Sequence, residues 1–307
     1  MATVEASASA PRAPLMVGFA GTDNTVDGVG RIGPWQLVRL IHESPLSRVY
    51  AARSESSPSQ QPPAYAVKVL RKEWWADPVA IQLQRRAAWI GARVSHPHLL
   101  PVLSSGVQQP PFYTVSPLLG GVPLSRYVGE RELPLPTMLW AVRQVAEGLE
   151  ALHRTAGAVH SDVKPGNIVL AADGHATLID LGFAQTPAEC LHWTQRPVVG
   201  SLGYVAPEAV TSRMTAGPAA DLYSLGVTLY ELITGRLPLE AESPEELVRQ
   251  HREVTPDCVR HLVPTLPKGV ASLVHRLLAK DPLRRPASAA AVAEELTGLE
   301  IECFGVR

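Results

Sequence analysis

Asn167 and Asp180 are an amide and a carboxylate set at matched distances from one turn. Two apolar runs, Asn167-Ile168-Val169-Leu170 and Ala176-Thr177-Leu178-Ile179-Asp180, flank Asp173-Gly174, which is a strong hairpin signal. With the turn centred between 173 and 174, both residues lie 6.5 positions from it, and an antiparallel ladder brings them together at its open end. Hard oxygen donors of this kind suit Mg²⁺, which takes one or two carboxylates plus substrate phosphates in preference to an all-protein cage. Taken singly, either residue reads as a cap on a strand end. What lifts the pair above that reading is the segment ahead of it, His160-Ser161-Asp162-Val163-Lys164-Pro165-Gly166-Asn167, which adds a second acid and a lysine.

The elements that must position these groups fall into two blocks. From Trp35 to Leu119 the pattern is strand-like (WQLVRLI, RVYAA, AYAVKVL, PFYTVSPLL), with one helical stretch around Ile81 to Arg93. From about Gly120 onward helices dominate, as in Met138, Val142, Val145, Leu149 and Leu152, spaced by three and four and closed by Gly157. The expected architecture is therefore α+β and bilobal, with a small β-rich lobe over residues 33–119, a larger helical lobe over 120–300 and a short extension at 301–307. Residues 1–32 are rich in Ala, Ser, Gly, Thr and Pro and read as a disordered tail. The tail holds a formal G-x-G-x-x-G at Gly28 to Gly33, but no strand precedes it and no helix follows, so it reads as a decoy. A proline- and serine-rich insert, Arg53 to Pro63, reads as a tolerated surface loop.

At 307 residues and 46% hydrophobic content the chain can build a real core. Its 28 basic and 29 acidic residues leave a net charge of −1, so no global field recruits nucleic acid or an anionic membrane, and neither is expected as a partner. The charge is nevertheless split: residues 33–119 carry 9 basic and 4 acidic residues, whereas 120–307 carry 17 and 22. Lobes of opposite sign suit a polyanion clamped with metal between them. Cys190, Cys258 and Cys303 are far apart, with no zinc spacing, which fits a reducing compartment. No run of about 18 apolar residues and no signal segment are found, so a cytoplasmic location is expected.

Several ordered motifs together resemble the eukaryotic-type protein kinase family, of the Ser/Thr kind seen in bacteria, over about residues 33–300. Besides the 160–167 segment and Asp180-Leu181-Gly182, Ala66-Val67-Lys68 resembles the small-lobe strand whose lysine holds phosphates. His96-Pro97 resembles the turn after the small-lobe helix, and Ala206-Pro207-Glu208 the end of the activation segment. Asp221-Leu222-Tyr223-Ser224-Leu225-Gly226 resembles the start of a buried helix, and Asp281-Pro282-Leu283-Arg284-Arg285-Pro286 the site whose arginine, here Arg285, pairs with Glu208. The resemblance implies ATP and Mg²⁺ (or Mn²⁺) as cofactors and a protein with a Ser/Thr hydroxyl as substrate. It implies that Asp162 accepts the hydroxyl proton or orients the hydroxyl, that Asn167 and Asp180 hold metal, and that Lys68 neutralises phosphate charge. Lys164 then stabilises the transferred group and favours Ser/Thr over Tyr. The purine is expected between Val49, Ala66 and Val169, against the Pro117 carbonyl and the Leu119 N–H, both of which the proline leaves intact.

Three departures stand out. The glycine-rich loop falls on His42-Glu43-Ser44-Pro45-Leu46-Ser47-Arg48-Val49, where His42, Ser44 and Ser47 take the glycine places. Two lost backbone bonds to phosphate cost on the order of 3 kcal/mol of ATP affinity, which side chains of Ser44, Ser47 or Arg48 are expected to offset. The acid that pairs with the lysine should fall at Ala87, and no Asp or Glu occurs between Asp77 and Glu130. A buried unpaired ammonium costs on the order of 3–5 kcal/mol, so Lys68 is expected to turn to Asp180, solvent or phosphate. Ser161 replaces the arginine that reads a phosphorylated activation loop, which puts that regulation in doubt, although Thr186, Thr194 and Ser201 offer hydroxyls. Two readings follow: an active Ser/Thr kinase, supported by the retained Lys68, Asp162, Lys164, Asn167 and Asp180, and a pseudokinase scaffold, supported by the losses. The retained set carries the chemistry and favours activity. No sensing module is expected after the family-like region, which leaves sensing to a partner or to the tail.

Overall fold

The structure is a computed structural model that describes residues 30–58, 60–129, 133–186, 199–211 and 217–305. Gly28, Cys190 and Thr194 lie outside the described residues, as does the side chain of Ser201.

The small lobe is a six-stranded antiparallel sheet built from β1 (Arg31–Ile32), β2 (Trp35–Glu43), β3 (Ser47–Ser54), β4 (Tyr65–Leu70), β5 (Ser104–Gly106) and β6 (Tyr113–Pro117), in the order β1-β2-β3-β4-β6-β5. Alternation decides its two faces. Leu37, Tyr50, Ala52, Val67 and Val115 are buried together on one side. β1 corrects the reading of residues 1–32 as wholly a tail: Arg31 pairs with Gln36 and Ile32 with Trp35 across Gly33-Pro34. Gly33 has φ +54°, the conformation a two-residue hairpin loop asks of its first residue. The end of the formal glycine fingerprint is thus a hairpin turn.

Helix α1 (Pro78–Gly91) starts earlier than its apolar period indicates, because Asp77 caps it by accepting from the Ala80 N–H at 2.7 Å and Pro78 supplies a pre-set φ. The helix joins the lobes: Ala80 packs with Leu70 and Phe112, whereas Ala87 and Ile90 belong to the core of the large lobe.

The large lobe is built on α2 (Leu135–Thr155), α3 (Pro207–Thr211), α4 (Pro218–Thr234), α5 (Pro244–Glu253), α6 (Val259–Leu262), α7 (Lys268–Leu277) and α8 (Ala289–Gly305), with a second sheet of β7 (Val122–Pro123), β8 (Ile168–Leu170) and β9 (Ala176–Leu178). Met138, Val142, Val145, Leu149 and Leu152 of α2 are all buried, as their spacing requires. α4 is apolar nearly all round and buried from Ala220 to Leu232, the behaviour of a central helix. α8 continues past residue 300, so the 301–307 extension begins inside a helix. No helix among the described residues is long and apolar enough to cross a membrane.

Candidate active site

The loop from Ala158 to Lys164 leaves α2 and is pinned from below by one carboxylate. Asp221, at the start of α4 and fully buried, accepts from the backbone N–H of His160 at 2.7 Å and of Ser161 at 2.8 Å, and pairs with His153 Nε2 at 2.8 Å. Burial works to raise the Asp221 pKa, but the bond and charge of His153 with the His160 contacts outweigh it and hold the carboxyl below its ordinary value. Ser161 sits at φ +65°, in the left-handed region that a residue with a Cβ rarely adopts. Its side chain accepts from Gln185 Nε2 at 3.2 Å, and Val159 and Gln185 exchange backbone bonds of 2.8 and 2.9 Å. His160 is buried and donates from Nε2 to the Ile179 carbonyl (3.2 Å) while Nδ1 accepts from the Asp162 N–H (3.3 Å), a tautomer assigned from these partners. Burial keeps its pKa low.

Held this way, Asp162 is 4% exposed and meets two of the residues the sequence places beside it. Lys164 Nζ donates to its two oxygens at 2.9 and 3.1 Å, and Asn167 Nδ2 donates to Oδ2 at 2.7 Å and to its carbonyl at 2.9 Å. Donation through Nδ2 turns the Asn167 amide oxygen away from Asp162.

The hairpin register differs by half a position from the expected one. Ile168 pairs with Leu178 and Ala171 donates to His175 O, so the loop is the three residues 172–174 centred on Asp173, with Gly174 at φ +85°. This is a three-residue turn with a glycine in the left-handed position, where the two-residue Asp-Gly reading expects a tighter one. Asn167 consequently faces Ile179, whose N–H it receives at 2.8 Å, and Asp180 follows directly with φ +69°.

Asp180 accepts from Lys68 Nζ at 2.6 Å and from the Gly182 N–H at 3.2 Å. Burial pushes its pKa up, but the Lys68 ammonium dominates with its hydrogen bond and holds the carboxyl at about 2. Of the partners expected for Lys68 in place of the missing acid, Asp180 is the one it bonds, with the lysine side chain 29% exposed. At the place of that acid, Ala87 is buried in the same apolar cluster as Leu181, so α1 packs closely where an ion pair is absent. Gln84 ties the helix to β4 instead, donating to the Lys68 carbonyl at 3.1 Å.

In β3 and β4, Val49 pairs with Lys68, while Ala66 pairs with Ala51 and with Ser116 of β6. Leu118 donates to Ala64 O at 2.9 Å, and alternation then turns the Pro117 carbonyl and the Leu119 N–H together away from β4. Val169 lies in β8 opposite Thr177 and Pro123. The three apolar side chains are half-buried.

Farther out, Arg285 is fully buried and donates to both Glu208 oxygens (2.6 and 2.9 Å) and to the Ala219 and Ala279 carbonyls, the pairing that the resemblance implies. The functions of Asp221, His153 and Gln84 escaped the sequence reading. For Asp221 the signal was its place at the head of an all-apolar helix, where a charge needs a buried partner.

A family model described as protein kinase domain matches residues 43–297. Among curated relatives, serine/threonine-protein kinase PknA of Mycobacterium tuberculosis is 31% identical over 89% of this chain and 62% of its own length. Serine/threonine-protein kinase PrkC of Bacillus subtilis is 27% identical over 82% of this chain and 38% of its own, so the chain spans less than two thirds of the length of either relative. The Mycobacterium tuberculosis PknI kinase domain superposes with a TM-score of 0.67 at 24% identity, covering 89% of this chain and 99% of that one, which establishes the shared bilobal fold. With the family model spanning both lobes and every element of the site, the chain belongs to the protein kinase family.

Proposed function

We propose that this chain is a serine/threonine kinase that transfers the γ-phosphoryl group of ATP to Ser or Thr hydroxyls of a protein substrate in the cytoplasm. The observation that carries the reading is the contact of Asp162 with both Lys164 and Asn167, beside the Lys68–Asp180 pair. In the transfer, the hydroxyl oxygen bonds to the γ-phosphorus as the bond to the β–γ bridging oxygen breaks. The hydroxyl proton passes to Asp162 and ADP leaves. Lys164, donating to Asp162 from its flexible stem, is placed to follow the charge onto the transferred group.

The donor set fits a divalent cation. Asp180 is ionised down to about pH 2, and Asn167 offers an amide oxygen. An amide and a carboxylate form a two-donor site of the kind that phosphate oxygens complete. Mg²⁺ or Mn²⁺ bound there supplies neutralisation of phosphate charge. The Pro117 carbonyl and Leu119 N–H suit a purine edge, with Val49, Ala66 and Val169 as its apolar walls.

The test is phosphate incorporation from labelled ATP into the chain and a generic Ser/Thr substrate, with Mg²⁺ and with Mn²⁺. Asp162→Asn is expected to lower the rate by at least about 100-fold, the usual contribution of a positioned base. Equal incorporation by the variant would refute the assignment.

A further inference from the structure

The side chains of Ser44, Ser47 and Arg48 in the β2–β3 turn bond to groups of the turn and its flanks. Ser44 Oγ accepts from the Ser47 N–H at 3.0 Å and contacts Ser47 O and Oγ at 3.1 and 3.2 Å, and Arg48 donates to Glu43 at 2.8 Å. Trp74 Nε1 holds the Pro45 carbonyl at 2.8 Å. The side chains expected to replace the loop glycines are therefore engaged within the loop.

His42 is different. Leu40 pairs with Tyr50, Ile41 is bulged out, and His42 pairs with Val49, which in turn pairs with Lys68. Directly paired residues share a sheet face, so His42, Val49 and Lys68 form one row. Lys68 reaches Asp180 from that face, and the preceding row of Leu40, Tyr50 and Val67 packs into the opposite one. The bulge at Ile41 is what gives the imidazole this face, a common use of a bulge beside a site. The imidazole is solvent-accessible. It feels Lys68, Asp180 and Glu43, and burial followed by the Lys68 charge lowers its pKa.

We propose that His42 is a phosphate-binding residue, its ring N–H donating to the phosphate chain of the nucleotide held by Lys68. This rests on the kinase reading above. The family's loop offers backbone N–H groups at this place; here one side-chain donor, two strands from Lys68, takes over part of that function.

The test is equilibrium binding of Mg²⁺–ATP and of adenosine to the wild-type chain, His42→Ala and His42→Gln. Loss of one bond to a charged acceptor is expected to weaken ATP binding by about 10-fold in His42→Ala. Adenosine binding, which also reports that the variant is folded, should stay unchanged, and His42→Gln, which keeps an N–H donor, should recover part of the loss. ATP binding by His42→Ala at the wild-type level, or an equal loss for adenosine, overturns the inference while leaving the kinase reading in place if wild-type phosphate transfer persists. Wild-type protein that neither binds ATP nor transfers phosphate removes both.

Discussion

Replacing Asp221 by alanine separates the anchoring of the catalytic loop from its chemistry. The carboxylate receives two backbone N–H groups and pairs with His153, whose side chain is 6% exposed. In Asp221→Ala all three donors lose their acceptor inside the protein. A buried donor left without a partner costs about 1–3 kcal/mol, and removal of the carboxylate's own desolvation cost offsets part of the sum, so a loss of about 3–6 kcal/mol is expected. For a chain of this size that lowers the unfolding temperature by on the order of 10 °C, read by calorimetry or circular dichroism. The left-handed backbone at Ser161 costs about 1–2 kcal/mol to hold, and without Asp221 it relaxes and carries Asp162 with it. A displacement of about 1 Å at the reacting group costs roughly 100-fold in rate, so phosphate transfer falls at temperatures where the variant is still folded. Asp162→Asn is the control, losing rate with little change in unfolding temperature. A shift below about 3 °C, or full activity in Asp221→Ala, would refute the reasoning.

Arg285→Ala removes the paired donors to the Glu208 carboxylate and the donors to the Ala219, Ala279 and Lys280 carbonyls, and is expected to cost about 3–5 kcal/mol in urea unfolding, with Arg285→Lys recovering only part because it cannot donate in parallel to both oxygens; a loss under about 1 kcal/mol counts against the pairing. Asp180 is held at about 2 against an ordinary 3.8, so its contribution to stability is full above about pH 4 and disappears as pH falls toward 2. Asp180→Asn should therefore show a shallower acid loss over that window, by about 2 kcal/mol, in unfolding titrations, and equal slopes would contradict the Lys68 pairing.

Residues close in sequence were the readable part of the site. Asp162, Lys164 and Asn167 fall within six positions, and the hairpin that carries Asn167 toward Asp180 announces itself through Asp173-Gly174. Even there the loop proved one residue longer, because Gly174 takes the left-handed position after a wider turn, something the dipeptide alone does not fix. Helix α1 was visible in its apolar period, but its start was set by the Asp77 cap. The contacts that period 2 and period 3.6 cannot reveal are those between distant segments: Asp221 with His160, 61 residues apart, and Gln84 with the backbone of Lys68. A polar side chain on a buried helix face announces that it has a partner and leaves the partner unnamed.

The bond from Lys68 to Asp180 joins atoms 112 residues apart, and its ends stand on different cores: the sheet of the small lobe packs on Leu37, Tyr50 and Val67, and the β8–β9 hairpin on the large cluster around Ile168 and Leu178. It is therefore a fastener between two bodies, beside the packing of α1 into both. Since α1 offers no acid along its length, the fastener has no catch on that helix. A ligand that draws Asp180 aside breaks this joint and leaves α1, with Ala80 in one core and Ala87 and Ile90 in the other, as a link that still spans the two.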